Sequence, residues 1–178
     1  FDDLTRESGA LTNTINANFN NSTNWYLGID GNCPSGQFDF VTVVLHELCH
    51  GLGFAGSGNV SGGNGFIGFN GSPTIYERFV ENSGGSQITS FPNNSTTLEA
   101  QLTGNSLFWD GAFGVAANSG NRPRIYAPSS WNGGSSYSHL NESTYSNGTI
   151  NSLMTPFLSQ AEVVHNPGPI VLGMFEDM

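Results

Sequence analysis

His46, Glu47 and His50 stand in the run Val-Leu-His-Glu-Leu-Cys-His-Gly-Leu-Gly, two imidazoles spaced i, i+4 with a carboxylate directly after the first. On a helix this spacing puts both rings on one face, where they can grip a single metal ion. Neutral imidazole nitrogens suit zinc, whose catalytic sites take three protein ligands and leave the fourth position to water. Glu47 can reach such a water and take its proton, a task the ion eases by lowering the water's pKa towards about 7. The chemistry expected of these residues is hydrolysis. Two ligands do not complete the site, however, and the chain has four histidines in all, so the remaining imidazole candidates are His139 and His165. Acidic alternatives for the third ligand are Glu77 and Glu142.

The motif requires a helix, and the surrounding residues predict one. Asp39 is suited to cap it, Phe40 to His50 has apolar residues on several faces, and Gly51 and Gly53 would end it. A helix apolar on several faces should be buried. Upstream, Leu4 to Asn18 reads as a short helix and Trp25 to Ile29 as a strand that stops at the turn Asp30-Gly31. Downstream, Ser57 to Ser72 is a glycine-rich loop, and Thr74 to Val80 alternates as a strand would. Thr96-Thr-Leu-Glu99 has the capping-box spacing that opens a short helix through Leu102, and Asp110 to Asn118 reads as another. Pro128 to Ser152, dominated by Ser, Gly, Asn and Tyr, should be irregular. After Pro169, the apolar Ile170, Val171, Leu172, Met174 and Phe175 predict a closing helix on the core.

Composition narrows the class of molecule. A chain of 178 residues that is 37% hydrophobic is large enough for one domain with a substantial core, and 24 glycines, with comparable numbers of Asn and Ser, predict many loops. No apolar run approaches the roughly 20 residues of a membrane span. Four arginines, no lysine and 14 acidic residues give a formal net charge of −10, which excludes the cationic footprint that nucleic acid or an anionic membrane needs. Low charge with abundant Gly, Asn, Ser and Thr suits a secreted, monomeric protein. Cys33 and Cys49 allow one disulfide, tying the loop before the motif helix to that helix, in keeping with an oxidising compartment; the alternative is two free buried thiols. Calcium is a secondary expectation at Asp30-Gly31-Asn32, where no complete calcium loop is present, and the ion stays unassigned.

Beyond the motif, Gly53 extends it to HExxHxxG, and a histidine three residues further would give the compact metzincin signature. Gly56 stands there instead. Much later come His139 and then Leu-Met154-Thr-Pro. This order, HExxHxxGF, a long insertion, a histidine and LMxP, resembles leishmanolysin-type metzincins and related secreted bacterial metalloproteases. The resemblance rests on residues 39–54 and 133–157 and is loose elsewhere. It implies an α+β zinc peptidase of two subdomains, an upper one over residues 1–56 with the active-site helix and an irregular lower one over residues 57–178. It implies zinc on His46, His50 and His139, Glu47 as general base and acid, Met154 as the hydrophobic floor, and a protein or peptide as substrate. Some members carry a tyrosine two residues after the Met, where Pro156 stands here. Tyr137 and Tyr145 are then candidates to stabilise the transition state, and His165 a candidate wall of the substrate pocket. Only 39 residues precede Phe40, so upstream strands, and segments beyond Met178, are expected to be missing from this chain. Two other readings are a gluzincin-like peptidase with Glu77 or Glu142 as third ligand, and a zinc-bound binding module without catalysis.

Overall fold

The helix that carries the motif is α1, Phe40–Gly51, and it begins where a short parallel pair ends: β1, Trp25–Tyr26, runs beside β2, Phe38–Asp39. Asp39 is both the last residue of β2 and the cap of α1. Its Oδ2 accepts from the Thr42 N–H at 2.8 Å and from the Thr42 hydroxyl at 2.7 Å, so the first helical turn is anchored by a fully buried carboxylate. The computed structural model describes residues 15–178. Most of the helix expected over Leu4 to Asn18 therefore lies outside the described residues, and its described end, residues 15–18, has no regular structure.

After α1 come a hairpin of β3, Asn59–Ser61, and β4, Asn64–Phe66, then β5, Val80–Asn82, α2, Thr96–Leu102, β6, Leu107–Trp109, α3, Ala112–Ala117, β7, Arg124–Ile125, and finally α4, Gly168–Asp177. Strands β5, β6 and β7 form one antiparallel sheet in that order. Helices and small sheets are thus mixed, an α+β arrangement in which the stretch between β7 and α4 has no helix or strand of its own. Trp109, Tyr76, Tyr137, Phe54, Leu140, Met154 and Met174 belong to one buried cluster, which ties that irregular stretch to the regular elements. Helix α4 lies against α3, and its Asp177 accepts from the N–H groups of Phe113 and Gly114, both at 2.9 Å, and from Trp109 Nε1 at 2.8 Å. Gly111, the residue at the start of α3, has no side chain with which to cap it, and Asp177 does so from across the interface.

The stretch Ser57 to Ser72, expected to be a loop, holds the β3–β4 hairpin, with Gly62 and Gly63 making the turn at positive φ. Two further expectations for regular structure fail for visible reasons. Thr74 to Val80 is not a strand: Tyr76–Phe79 is a 3₁₀ helix, and β5 begins only at Val80. Neighbouring Tyr76 and Glu77 are both fully buried, which a strand with one buried face cannot do. The Glu77 carboxylate accepts from Thr74 N–H at 2.7 Å and from Ser57 N–H at 2.9 Å and is bonded by the Ser57 hydroxyl, pulling the segment into a turn. Trp25 to Ile29 shortens to the two residues of β1, leaving Leu27 and Ile29 exposed. The helix near Thr96 is present, with Ser95 as its cap, whose hydroxyl accepts from Leu98 N–H at 3.1 Å.

Candidate metal centre

His46 and His50 point from one face of α1, and the helix ends directly after the second. Gly53 has φ +114°, a left-handed conformation that lets the chain reverse at once. The reversal places the Phe54 carbonyl 2.7 Å from His50 Nδ1. His46 Nδ1 makes the same contact with the Leu153 carbonyl at 2.7 Å, and His139 Nδ1 with the Ser135 carbonyl at 2.7 Å. A carbonyl oxygen can only accept, so each Nδ1 carries the ring proton and each Nε2 presents a lone pair. The three Nε2 atoms face one another at 3.1, 3.2 and 3.2 Å.

Three lone pairs cannot hydrogen-bond to one another, and a mostly buried cluster of them is unsatisfied unless a cation or proton lies between them. Zinc–nitrogen bonds of about 2.05 Å at tetrahedral angles need nitrogens about 3.3 Å apart, close to the separation here. The donor set therefore fits zinc in number, atom type and spacing. Among the described residues this is the one group of three or more His, Cys, Asp or Glu side chains that could hold a metal ion. Burial, with the neighbouring His46 and His50, pushes the pKa of His139 down to about 3, and burial also lowers that of His46. Both rings are accordingly in the neutral form that binds metal.

Glu47 is exposed on α1 beside His46. Both line a cleft of about 170 Å³ whose other walls include Val43, Leu153, Phe157 and Val164. Met154 is fully buried. The peptides around it touch both halves of the centre, because the Leu153 carbonyl holds His46 while the Met154 carbonyl accepts from the N–H of Leu140, the residue after His139, at 2.8 Å.

The other expected site residues lie elsewhere. Tyr137 and Tyr145 are buried in the core and do not line the cleft: the Tyr137 hydroxyl is enclosed, and the Tyr145 hydroxyl accepts from Arg124 N–H at 3.4 Å. His165 is not a cleft wall; its Nε2 donates to Asp39 Oδ2 at 2.7 Å, while the adjacent Val164 lines the cleft and donates its N–H to Thr42 Oγ1 at 2.8 Å. Glu77 is occupied by Ser57 and Thr74, and neither it nor Glu142 joins the three histidines. Asp30 Oδ1 is bonded by the Tyr26 hydroxyl and by Asn32 N–H at 3.1 Å. The disulfide does not form, and both cysteines are free. Cys33 Sγ lies 3.4 Å from the Gln37 carbonyl, before α1 begins, whereas Cys49 is buried in the last turn of α1.

The three carbonyls that orient the imidazoles left no trace in the sequence, since any residue type supplies a carbonyl. Asp39 was legible as a cap but not as the partner of His165. No curated protein and no solved structure matches the chain significantly. Residues 1–113, which include α1 and stop short of His139, match the family model described as SPBPB7E8-like, and the chain belongs to that family.

Proposed function

We propose that the protein is a zinc-dependent endopeptidase of the metzincin kind, acting on protein or peptide substrates outside the cell. The observation that carries this reading is the convergence of three unprotonated Nε2 atoms beside an exposed glutamate at the edge of a cleft. Zinc bound there would act as a Lewis acid, polarising the scissile carbonyl and acidifying water. His46, His50 and His139 would hold the ion, each kept in the right tautomer by its backbone carbonyl. Glu47 would accept a proton from the attacking water at its carboxylate and deliver it to the leaving amine nitrogen, so the carboxylate ends the cycle as it began. Val43, Leu153, Phe157 and Val164 would receive an apolar substrate side chain and exclude water from the reacting bond.

The test joins metal content to turnover. The purified chain should carry one zinc per molecule, cleave peptides in a mixed library, lose cleavage to a zinc chelator and regain it with added zinc. Glu47→Gln should keep the zinc and lose about 10²- to 10⁴-fold in rate. Full zinc with no cleavage of any peptide would favour a binding module, and Glu47→Gln retaining wild-type turnover would remove the glutamate from the mechanism.

A further inference from the structure

His139 is the one ligand that no helix holds, and the residues just before it are arranged unusually. Tyr137 has φ +74°, in the left-handed region, and is fully buried. Such a conformation in a bulky residue persists only where the surroundings impose it. Those surroundings are two glycines shortly after α1. A Cβ on Gly56 would lie 2.3 Å from Tyr137 Cε1, and one on Gly58 would lie 2.6 Å from Cδ1, so the ring occupies the space that side chains at both positions would need.

Hydrogen bonds lock the ring's backbone in place. Tyr137 N–H donates to the Tyr126 carbonyl at 2.8 Å, and the Tyr137 carbonyl accepts from the Tyr76 hydroxyl at 2.9 Å. Ser138 then grips residue 56 twice, its hydroxyl accepting from Gly56 N–H at 3.1 Å and donating to the Gly56 carbonyl at 3.2 Å. Tyr126 N–H donates to the His139 carbonyl at 2.8 Å. The Tyr137 hydroxyl has no partner among the described residues. Its ring, and not its polar end, is what the arrangement uses.

We propose that Tyr137 is a positioning residue for the third metal ligand: seated in the slot left by Gly56 and Gly58, its ring docks the His139 loop against the end of α1 and so sets the distance of His139 Nε2 from His46 and His50. The inference rests on the three histidines being a metal centre. It also accounts for Gly56, the position at which the compact signature would have a histidine: the ring stands where that side chain would begin. A ligand on a loop is only as precise as the contacts that hold the loop, and here the holding contacts are made to the segment that leaves the ligand-bearing helix.

The experiment measures zinc affinity by competition with a chromophoric chelator, and the visible spectrum of the cobalt(II)-loaded protein as a report on ligand geometry. Tyr137→Phe should bind zinc within about twofold of wild type, since the hydroxyl is idle. Tyr137→Gly, which relieves the backbone conformation but empties the slot, and Gly56→Ala, which fills it, should each weaken zinc about 10- to 100-fold, as loss of an orienting partner does, and diminish the cobalt spectrum. The double variant should be no weaker than the weaker single one, because both changes abolish the same contact. Leu102→Ala, at the buried end of α2, should lower the unfolding temperature and leave affinity unchanged, separating positioning from general stability. If Tyr137→Gly fails to fold, Gly58→Ala reads the same contact. Wild-type affinity and spectrum in the Tyr137→Gly (or Gly58→Ala) and Gly56→Ala proteins would overturn the positioning role while leaving the metal centre standing. A wild-type protein that binds neither zinc nor cobalt would overturn the metal centre and this role with it.

Discussion

Two regions supply the histidine cluster by different means. In α1 the imidazoles are placed by helical periodicity: His46 and His50 share a face because they are four residues apart, and the Asp39 cap and the Gly53 reversal fix where the helix starts and stops. Between β7 and α4, where no helix or strand occurs, His139 is placed by the local Ser135 carbonyl and by contacts of its segment to Gly56, Tyr126 and Met154, more distant in the chain. Irregular backbone can be as exact as a helix when its N–H and C=O groups are individually satisfied and its large side chains are buried. The two kinds of placement should, however, fail differently. Damage to α1 should stay local, whereas a change anywhere in the supports of the loop should be felt at the ligand.

The largest effect expected from this contrast is on metal binding. His139→Ala should reduce bound zinc to a small fraction of an equivalent, a greater loss than the roughly 10- to 100-fold that follows removal of an outer hydrogen-bond partner. Glu142→Gln, three residues along the same loop, should keep a full equivalent. Atomic emission after identical dialysis against a weak chelator would compare them, and retention of zinc by His139→Ala would end the idea that the loop contributes a ligand.

Next in size is the support under the loop. Met154→Ala should destabilise by about 2–5 kcal/mol, as for other fully buried large-to-small changes, and should also lower zinc affinity, since the peptides flanking Met154 hold both His46 and the His139 segment. Leu48→Ala, on the exposed side of α1 at 38% accessibility, should do neither. Urea denaturation with zinc competition would test the pair. Equal losses in both variants would dissolve the distinction between the regions.

A smaller effect concerns acid. Burial disfavours charge on Asp39, but the Thr42 hydroxyl, the Thr42 N–H and His165 outweigh it and leave the Asp39 pKa below its ordinary value. A carboxyl whose pKa is depressed on folding adds stability that is fully present above the unfolded value near 3.9 and is lost as pH falls through the lower folded value. Stability of the metal-free protein should therefore fall more steeply in wild type than in Asp39→Asn as the pH drops below about 4, measured by urea unfolding. Parallel acid limbs would show that the α1 anchor does not depend on charge.

The smallest expected effect is none. With both cysteines free, alkylation in denaturant without reductant should label two thiols, and reductant should leave the unfolding temperature unchanged. A mass two units lower with no labelling would restore the bridge.

How much of this was legible in the sequence follows the same division. Helix α1, its cap, α2, α3 and the closing α4 could be read because capping and periodicity are local and repeat within a few residues. The strand expected over Thr74 to Val80 failed because Glu77, a residue whose charge argues for exposure, turns inward to Ser57 and Thr74. Tyr137 and Tyr145 looked like polar-loop residues because their neighbours are Ser and Asn, yet both are core. Cys33 and Cys49 looked paired because they were the only two, yet both thiols are free.

By itself, then, the sequence determined the local chemistry: a helix with two imidazoles and a carboxylate on one side, and helices at the points where cap and apolar spacing agree. The resemblance implied that His139 is the distant histidine that meets the first two; tertiary structure alone decided which nitrogen of each ring carries the proton and why position 56 bears no side chain. Those outcomes depend on backbone carbonyls and on the space a buried ring fills. Neither leaves a signature in residue type, because every residue has a carbonyl and a slot exists only once both of its walls are folded.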